Sequence, residues 1–180
     1  MIQKSPLQPL LSLISPGWSG QRMAPLCSIP ADWRPSLFSA GSLTAELIRV
    51  AKGDFHVEVL AQGWRKLSAG EAQLLGLATR NQTAWTRDVA LCVNGSPWVY
   101  ARTCIPASSL TGAEKRLLNL GNKPLGAYLF QHPAMKRGKM TAARIGDNAL
   151  GIRWARRSVF FLYNKPLLVS EAFVRPLPKD

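Results

Sequence analysis

Histidine is almost missing from this chain: His56 and His132 are the only two in 180 residues. A metal centre built on imidazoles, or a nucleophile activated by histidine, therefore has very little material, and no metal or other cofactor is expected. The three cysteines, Cys27, Cys92 and Cys104, show no metal-ligand spacing and cannot all pair with one another. Free thiols suit a reducing compartment, so the expected location is cytoplasmic. No apolar run approaches the roughly 20 residues of a membrane span, and no stable membrane insertion is expected. Leu7 to Ile14 is apolar but short, with no small-residue cleavage pattern after it, and reads as a docked helix or turn rather than a signal peptide. A Gly/Ser linker, a low-complexity run and an internal repeat are all absent, so residues 1–180, with 47% hydrophobic positions, read as one globular domain.

Acidic residues are scarce too. Ten Asp and Glu stand against 23 Lys and Arg, a formal charge of +13. Nucleic-acid phosphates are one partner for such a chain, and a small anion drawn in electrostatically is another. The densest groups are Lys136, Arg137 and Lys139, then Arg153, Arg156 and Arg157. They read mostly as solvated surface, and no nucleic-acid motif accompanies them, so no nucleic-acid partner is expected.

What the chain does contain is centred on residues 83 to 130. β-Branched and aromatic residues run on either side of Asn94-Gly95, a pair suited to the positive φ angles of a two-residue hairpin turn. In the simplest register Val93 faces Ser96, Leu91 faces Trp98, Val89 faces Tyr100 and Arg87 faces Arg102. Trp85, Arg87, Val89, Leu91 and Val93 then share one face, apolar but for the arginine. Two cations opposite each other on an inward surface call for something negative between or above them. Internal ion pairing, or a register off by one, is the structural alternative.

Helical signals surround this hairpin. Ser42 can cap a helix carrying Leu43, Leu47, Ile48 and Val50 and ending at Gly53; Phe55 to Ala61 alternates as a strand; Ser68 to Glu71 and Thr111 to Glu114 both have capping-box spacing. Pro124 suits the start of a short helix whose first N–H groups, around Leu125 and Gly126, are free to meet a carboxylate. Residues 15 to 40, with four prolines, read as irregular, and Met135 to Ile152 as less regular than its surroundings.

A second hairpin closes the chain. Arg153 to Leu162 and Pro166 to Val174 flank Tyr163-Asn164-Lys165, and Leu167, Val169, Glu171 and Phe173 share a face. A glutamate in an apolar row is rare unless paired, hydrogen-bonded or functional; a salt bridge to Arg102 or Arg157 is the structural alternative. An inward arginine and an inward glutamate on separate hairpins suit a molecule with a carboxylate at one end and a hydroxyl at the other.

The strings LCVNGSPWVYARTCIPASSLTG, LGNKPLGAYLF, RWARRS and NKPLLVSEAF, in that order, resemble the chorismate pyruvate-lyase family, with the likeness running from about Gly41 to Pro178. The resemblance implies an enzyme, a carbon–oxygen lyase that eliminates pyruvate from chorismate to give 4-hydroxybenzoate for ubiquinone, acting as a monomer. It implies Arg87 and the Leu125 backbone N–H on the aromatic acid's carboxylate, Glu171 at the hydroxyl end, Leu43 against the ligand where the family has a methionine, and Arg102 on the second, enolpyruvyl carboxylate. Arg87 and Glu171 would be the catalytic pair. The fold expected is α+β, a single domain with an antiparallel sheet of about six strands, helices packed on one side and flaps over a buried ligand site. A non-catalytic sensor of aromatic acids with the same fold, and a basic nucleic-acid-binding module, are the alternatives.

Overall fold

The computed structural model describes residues 26–78 and 82–178, and the apolar stretch Leu7 to Ile14 lies outside them. Seven strands form one antiparallel sheet: β1 (Phe55–Lys66), β2 (Thr83–Val93), β3 (Ser96–Pro106), β4 (Met135–Arg137), β5 (Thr141–Arg144), β6 (Trp154–Leu162) and β7 (Lys165–Phe173). The strand order is β1-β2-β3-β7-β6-β4, and β5 also pairs with β6. The expected α+β domain is present, with one strand more than the six anticipated. The stretch read as less regular supplies two short strands, both paired to the free edge of β6.

Both long hairpins turn on residue pairs with positive φ, Asn94 (51°) with Gly95 (72°) and Tyr163 (48°) with Asn164 (63°). These angles match the right-handed twist of the strands they join. From the second turn, pairing runs unbroken, so Arg156 faces Glu171 and Ser158 faces Val169. From the first turn it does not. Val93 faces Ser96 and Cys92 faces Pro97, then the register shifts so that Leu91 faces Val99, Asp88 faces Arg102 and Arg87 faces Thr103. Trp98 is left out of the pairing, a one-residue bulge beside Pro97, which has no N–H to donate. The expected pairing of Arg87 with Arg102 is thereby corrected. Beyond the bulge every β3 side chain points opposite to the face first assigned, and Arg102 leaves Arg87's side of the sheet.

The sheet thus has two distinct faces. The front carries Arg87, Val89 and Leu91 of β2, Ala101 and Thr103 of β3, Val169 and Glu171 of β7, and Arg156 of β6. Over it lie α1 (Arg34–Phe38), α2 (Leu43–Ala51), a 3-10 segment (Gly112–Asn119) and α4 (Leu125–Phe130), whose apolar residues pack with the strands in two clusters. The back is covered in part by α3 (Ala69–Leu74), where Leu67, Ala72 and Leu75 meet Ala84, Cys104 and Leu168.

Several helix starts follow the sequence. Ser42 Oγ accepts from Ala45 N, and Ser68 with Glu71 forms a complete capping box at the start of α3. Thr111 makes no such cap: the Glu114 carboxylate is taken by Lys165 Nζ at 2.6 Å, and the segment winds as a 3-10 helix instead. Residues 15 to 40 were expected to be irregular, yet 34–38 is helical, with Pro35 in the first turn, where a missing N–H costs nothing. Ile29, Trp33 and Leu37, four residues apart, are all buried, and Trp33 lies 6.4 Å from Trp154 between ring centres.

Candidate active site

Burying an arginine is costly unless its donors are met, and two front-face arginines are met in opposite ways. Arg87 is 4% exposed. Its Nη2 donates to the carbonyls of Gly121 (2.8 Å) and Lys123 (3.1 Å), in the loop that leads into α4. Its Nε is buried without a partner, and no carboxylate forms an ion pair with it among the described residues. Burial pushes the Arg87 pKa down, the direction expected for a cation still lacking a counter-ion.

Arg156, 1% exposed, has its counter-ion: Nε donates to Glu171 Oε2 at 2.5 Å, and Nη1 to the Ser36 carbonyl at 2.7 Å. The glutamate's structural partner is therefore Arg156, neither Arg102 nor Arg157. Arg137 reaches the same place from β4. Its Nε donates to Ser158 Oγ (3.0 Å) and its Nη1 to the Ser39 carbonyl (3.3 Å), and its guanidinium sits 4.8 Å over the Phe160 ring. Its Nη2 stops 3.8 Å from Glu171 Oε2, beyond hydrogen-bond reach.

Between these groups is a pocket of about 550 Å³, counted out to its open mouth. Arg87 stands on one part of its wall and Glu171, Arg156 and Arg137 on another, with Leu43, Val89, Ala101, Leu125 and Phe160 among the apolar lining. Of the expected site residues, Arg87, Leu125, Leu43 and Glu171 all line this pocket. Arg102 does not. It lies on the back face, 3% exposed, donating from Nε to Glu71 Oε1 (3.1 Å) and from Nη1 to both Asp88 oxygens (3.3 and 3.4 Å). Burial pushes the Asp88 pKa up even against the pull of Arg102, and likewise raises that of the Cys104 thiol, which hydrogen-bonds Glu71 Oε1. The bulge at Trp98 is the physical reason Arg102 is absent from the cavity.

Arg137 and Arg156 were read as surface cations and are the site residues the sequence reading missed. For Arg156 a signal existed. Counting back from the Tyr163-Asn164 turn pairs it with Glu171, and it alternates with Trp154, Ser158 and Phe160. Arg137 gave no comparable signal, since a three-residue strand has too little alternation to read.

The roof of the pocket is made by two helix starts. α2 and α4 meet so closely that a Cβ on Gly126 would lie 2.6 Å from Thr44 Oγ1, and Gly41, Leu43 and Thr44 line the pocket beside Pro124, Leu125 and Gly126. Only glycine fits at 126 without displacing its neighbour.

The family described as Chorismate lyase matches residues 19–178, further toward the N-terminus than the motifs alone reach. A probable chorismate pyruvate-lyase of Marinobacter nauticus is 47% identical over 132 residues, covering 73% of this chain and 70% of that protein. The chorismate pyruvate-lyase of Hamiltonella defensa is 37% identical over 152 residues, 83% of this chain and 82% of its own. Among solved structures, the C-terminal domain of the histidine utilization repressor from Pseudomonas syringae pv. tomato superposes with a TM-score of 0.54 at 14% identity, over 70% of this chain and 97% of that one. At such low identity that likeness speaks for the fold alone. The sequence relatives carry more, and on their evidence and the family match the chain belongs to the chorismate lyase family.

Proposed function

We propose that this protein is a chorismate pyruvate-lyase, converting chorismate to 4-hydroxybenzoate and pyruvate. The observation that carries the reading is Arg87, a buried guanidinium with an unpartnered Nε, in the same pocket as Glu171. A planar guanidinium grips a carboxylate through parallel hydrogen bonds, and a ring carboxylate would supply the missing counter-ion. Leu125, first residue of α4, would add its backbone N–H to the same carboxylate. Leu43 and Val89 would flank the ring.

At the other end, Glu171 Oε2 is taken by Arg156, whereas Oε1 has no hydrogen bond among the described residues and can accept from the ring hydroxyl. The elimination breaks the ether C–O bond, its electron pair leaving with the enolpyruvyl oxygen. The hydrogen on the hydroxyl-bearing carbon is lost, and the C–H electrons complete the aromatic ring. Its proton finishes on the enolpyruvyl methylene, which becomes the methyl group of pyruvate. Glu171 spends Oε2 on Arg156 and has Oε1 left for the ring hydroxyl. We therefore assign Glu171 to holding the hydroxyl, with the proton passing within the substrate and the pocket supplying conformation and charge stabilisation. Aromatisation drives the reaction, which calls on no redox or metal chemistry.

The α2 and α4 starts act in this reading as flaps that exclude water and retain the aromatic product. The reading extends to a monomer acting in the cytoplasm, with the product passing to ubiquinone synthesis.

The test is to mix purified protein with chorismate in EDTA-containing buffer and follow both products by chromatography. Equimolar 4-hydroxybenzoate and pyruvate are expected, reduced at least 100-fold in Arg87→Ala. Tight binding of 4-hydroxybenzoate without turnover would move the reading to a sensor, and retention on DNA that survives Arg87→Ala to a nucleic-acid module.

A further inference from the structure

Chorismate carries two carboxylates, and with Arg102 on the far face of the sheet the group meant for the second one has to be found elsewhere. This inference rests on the function proposed above. Four charged side chains line the pocket, Arg87, Arg137, Arg156 and Glu171. Arg156 and Glu171 cancel each other in a direct hydrogen-bonded pair. Three guanidiniums against one carboxylate leave a net charge of +2 in a small and mostly apolar space, with Arg87 lacking a carboxylate and Arg137 only 3.8 Å from one that Arg156 already holds. A ligand with one negative charge would leave one of those positive charges unmatched, whereas a dianion balances both.

Arg137 is built to present its charge rather than to spend it on the protein. Nε is anchored on Ser158, Nη1 on the Ser39 carbonyl, and the flat of the guanidinium rests on Phe160, so its direction is fixed. Nη2 makes no hydrogen bond to a protein acceptor among the described residues, its nearest carboxylate oxygen being Glu171 Oε2 at 3.8 Å. The strand that carries it is held close to β6 at the next residue, where Gly138 N donates to Val159 O at 2.7 Å. A side chain on Gly138 would come within 3.1 Å of that same carbonyl.

Position agrees with charge. In chorismate the enolpyruvyl ether is on the ring carbon next to the one bearing the hydroxyl, and meta to the ring carboxylate. With the carboxylate at Arg87 and the hydroxyl at Glu171, the enolpyruvyl arm projects beside Glu171, which is where Arg137 stands. We propose that Arg137 receives the enolpyruvyl carboxylate of the substrate, making it the residue that distinguishes chorismate from its monoanionic aromatic product. Once the C–O bond breaks, the same contact holds the pyruvate, so Arg137 is in touch with the leaving group throughout.

The test separates this from the lyase reading by using a ligand that cannot react. The aromatic ether 3-[(1-carboxyvinyl)oxy]benzoate has both carboxylates in the meta relation of chorismate but no hydrogen to eliminate. Its Kd and that of 4-hydroxybenzoate are measured by calorimetry for the unaltered protein, Arg137→Met and Arg137→Lys. Loss of one charged contact predicts that Arg137→Met weakens the dicarboxylate about 10- to 100-fold while 4-hydroxybenzoate stays within about threefold, and that Arg137→Lys recovers part of the loss. Unchanged 4-hydroxybenzoate binding also shows that the variant is folded. Equal weakening of both ligands, or dicarboxylate binding that ignores the substitution, overturns the proposal. Should the unaltered protein show the Arg137-dependent preference yet fail to turn over chorismate, the lyase reading falls and this assignment stands.

Discussion

Two arginines on neighbouring strands show how much a buried cation's role depends on what surrounds it. Arg102 is flanked by Glu71 and Asp88, all three less than 5% exposed, so removing it takes the guanidinium away from two buried carboxylates. Arg102→Met is expected to cost about 3–5 kcal/mol in urea unfolding while leaving 4-hydroxybenzoate affinity within a few-fold in the protein that remains folded. A loss of binding larger than the loss of stability would return Arg102 to the site. Arg87 is the converse case, since removing it strands no carboxylate. Arg87→Met should leave the midpoint of thermal unfolding unchanged or higher when no ligand is present, and abolish the upward shift that 4-hydroxybenzoate gives the unaltered protein. The chemistry of both residues was legible in the sequence as inward cations in apolar strands. Their separation was not, because one unpaired tryptophan decided it.

At the level of elements, the closest approach in the roof belongs to α2 and α4. Gly126→Ala pushes a methyl group to 2.6 Å from Thr44 Oγ1, so Thr44 has to turn away or the two helix starts have to part. A cost of about 1–3 kcal/mol and faster release of 4-hydroxybenzoate are expected, with Thr44→Ala in the same protein restoring much of both. Stopped-flow release rates that stay the same in the single variant would show the roof is not the barrier to exit. The 3-10 segment beside this roof is tied down by the Glu114–Lys165 pair, and the Lys165 hydrogen bond holds the Glu114 carboxyl below its ordinary pKa. A depressed carboxylate stabilises the fold above its unfolded-state value of 4.5 and loses that contribution as pH falls through the lower folded value. The gap in melting temperature between the protein and Glu114→Gln should therefore be widest near neutrality and close below about pH 4; a constant gap would assign the pair no ionic role. Sequence gave good notice of elements with a local cause: the Asn94-Gly95 turn, the Ser42 cap, the Ser68–Glu71 box. It misjudged those settled by distant partners. Glu114 was spoken for by a lysine 51 positions away, and β4 and β5 exist only because β6 offers them an edge.

Over the whole molecule, a formal charge of +13 includes a pocket whose own side chains sum to +2. Capture of a dianion should then be salt-sensitive: raising ionic strength from about 20 to 300 mM is expected to lower kcat/KM for chorismate several-fold with kcat nearly constant. A flat profile would mean the excess charge serves something other than substrate capture. The bulge at Trp98 also bears on how this protein tolerates length changes. Strand side chains are read out two at a time, like a code with a fixed reading frame, and the unpaired residue is a frameshift placed next to the turn. Removing Trp98 itself would keep the frame of everything beyond it. A deletion from Tyr100 to Cys104 would break that frame and exchange contents of the two faces, carrying a back-face residue such as Arg102 into the pocket or a front-face residue out of it. Chains of this family that differ in length here should therefore do so at the bulge and turn, and not along the strand beyond them.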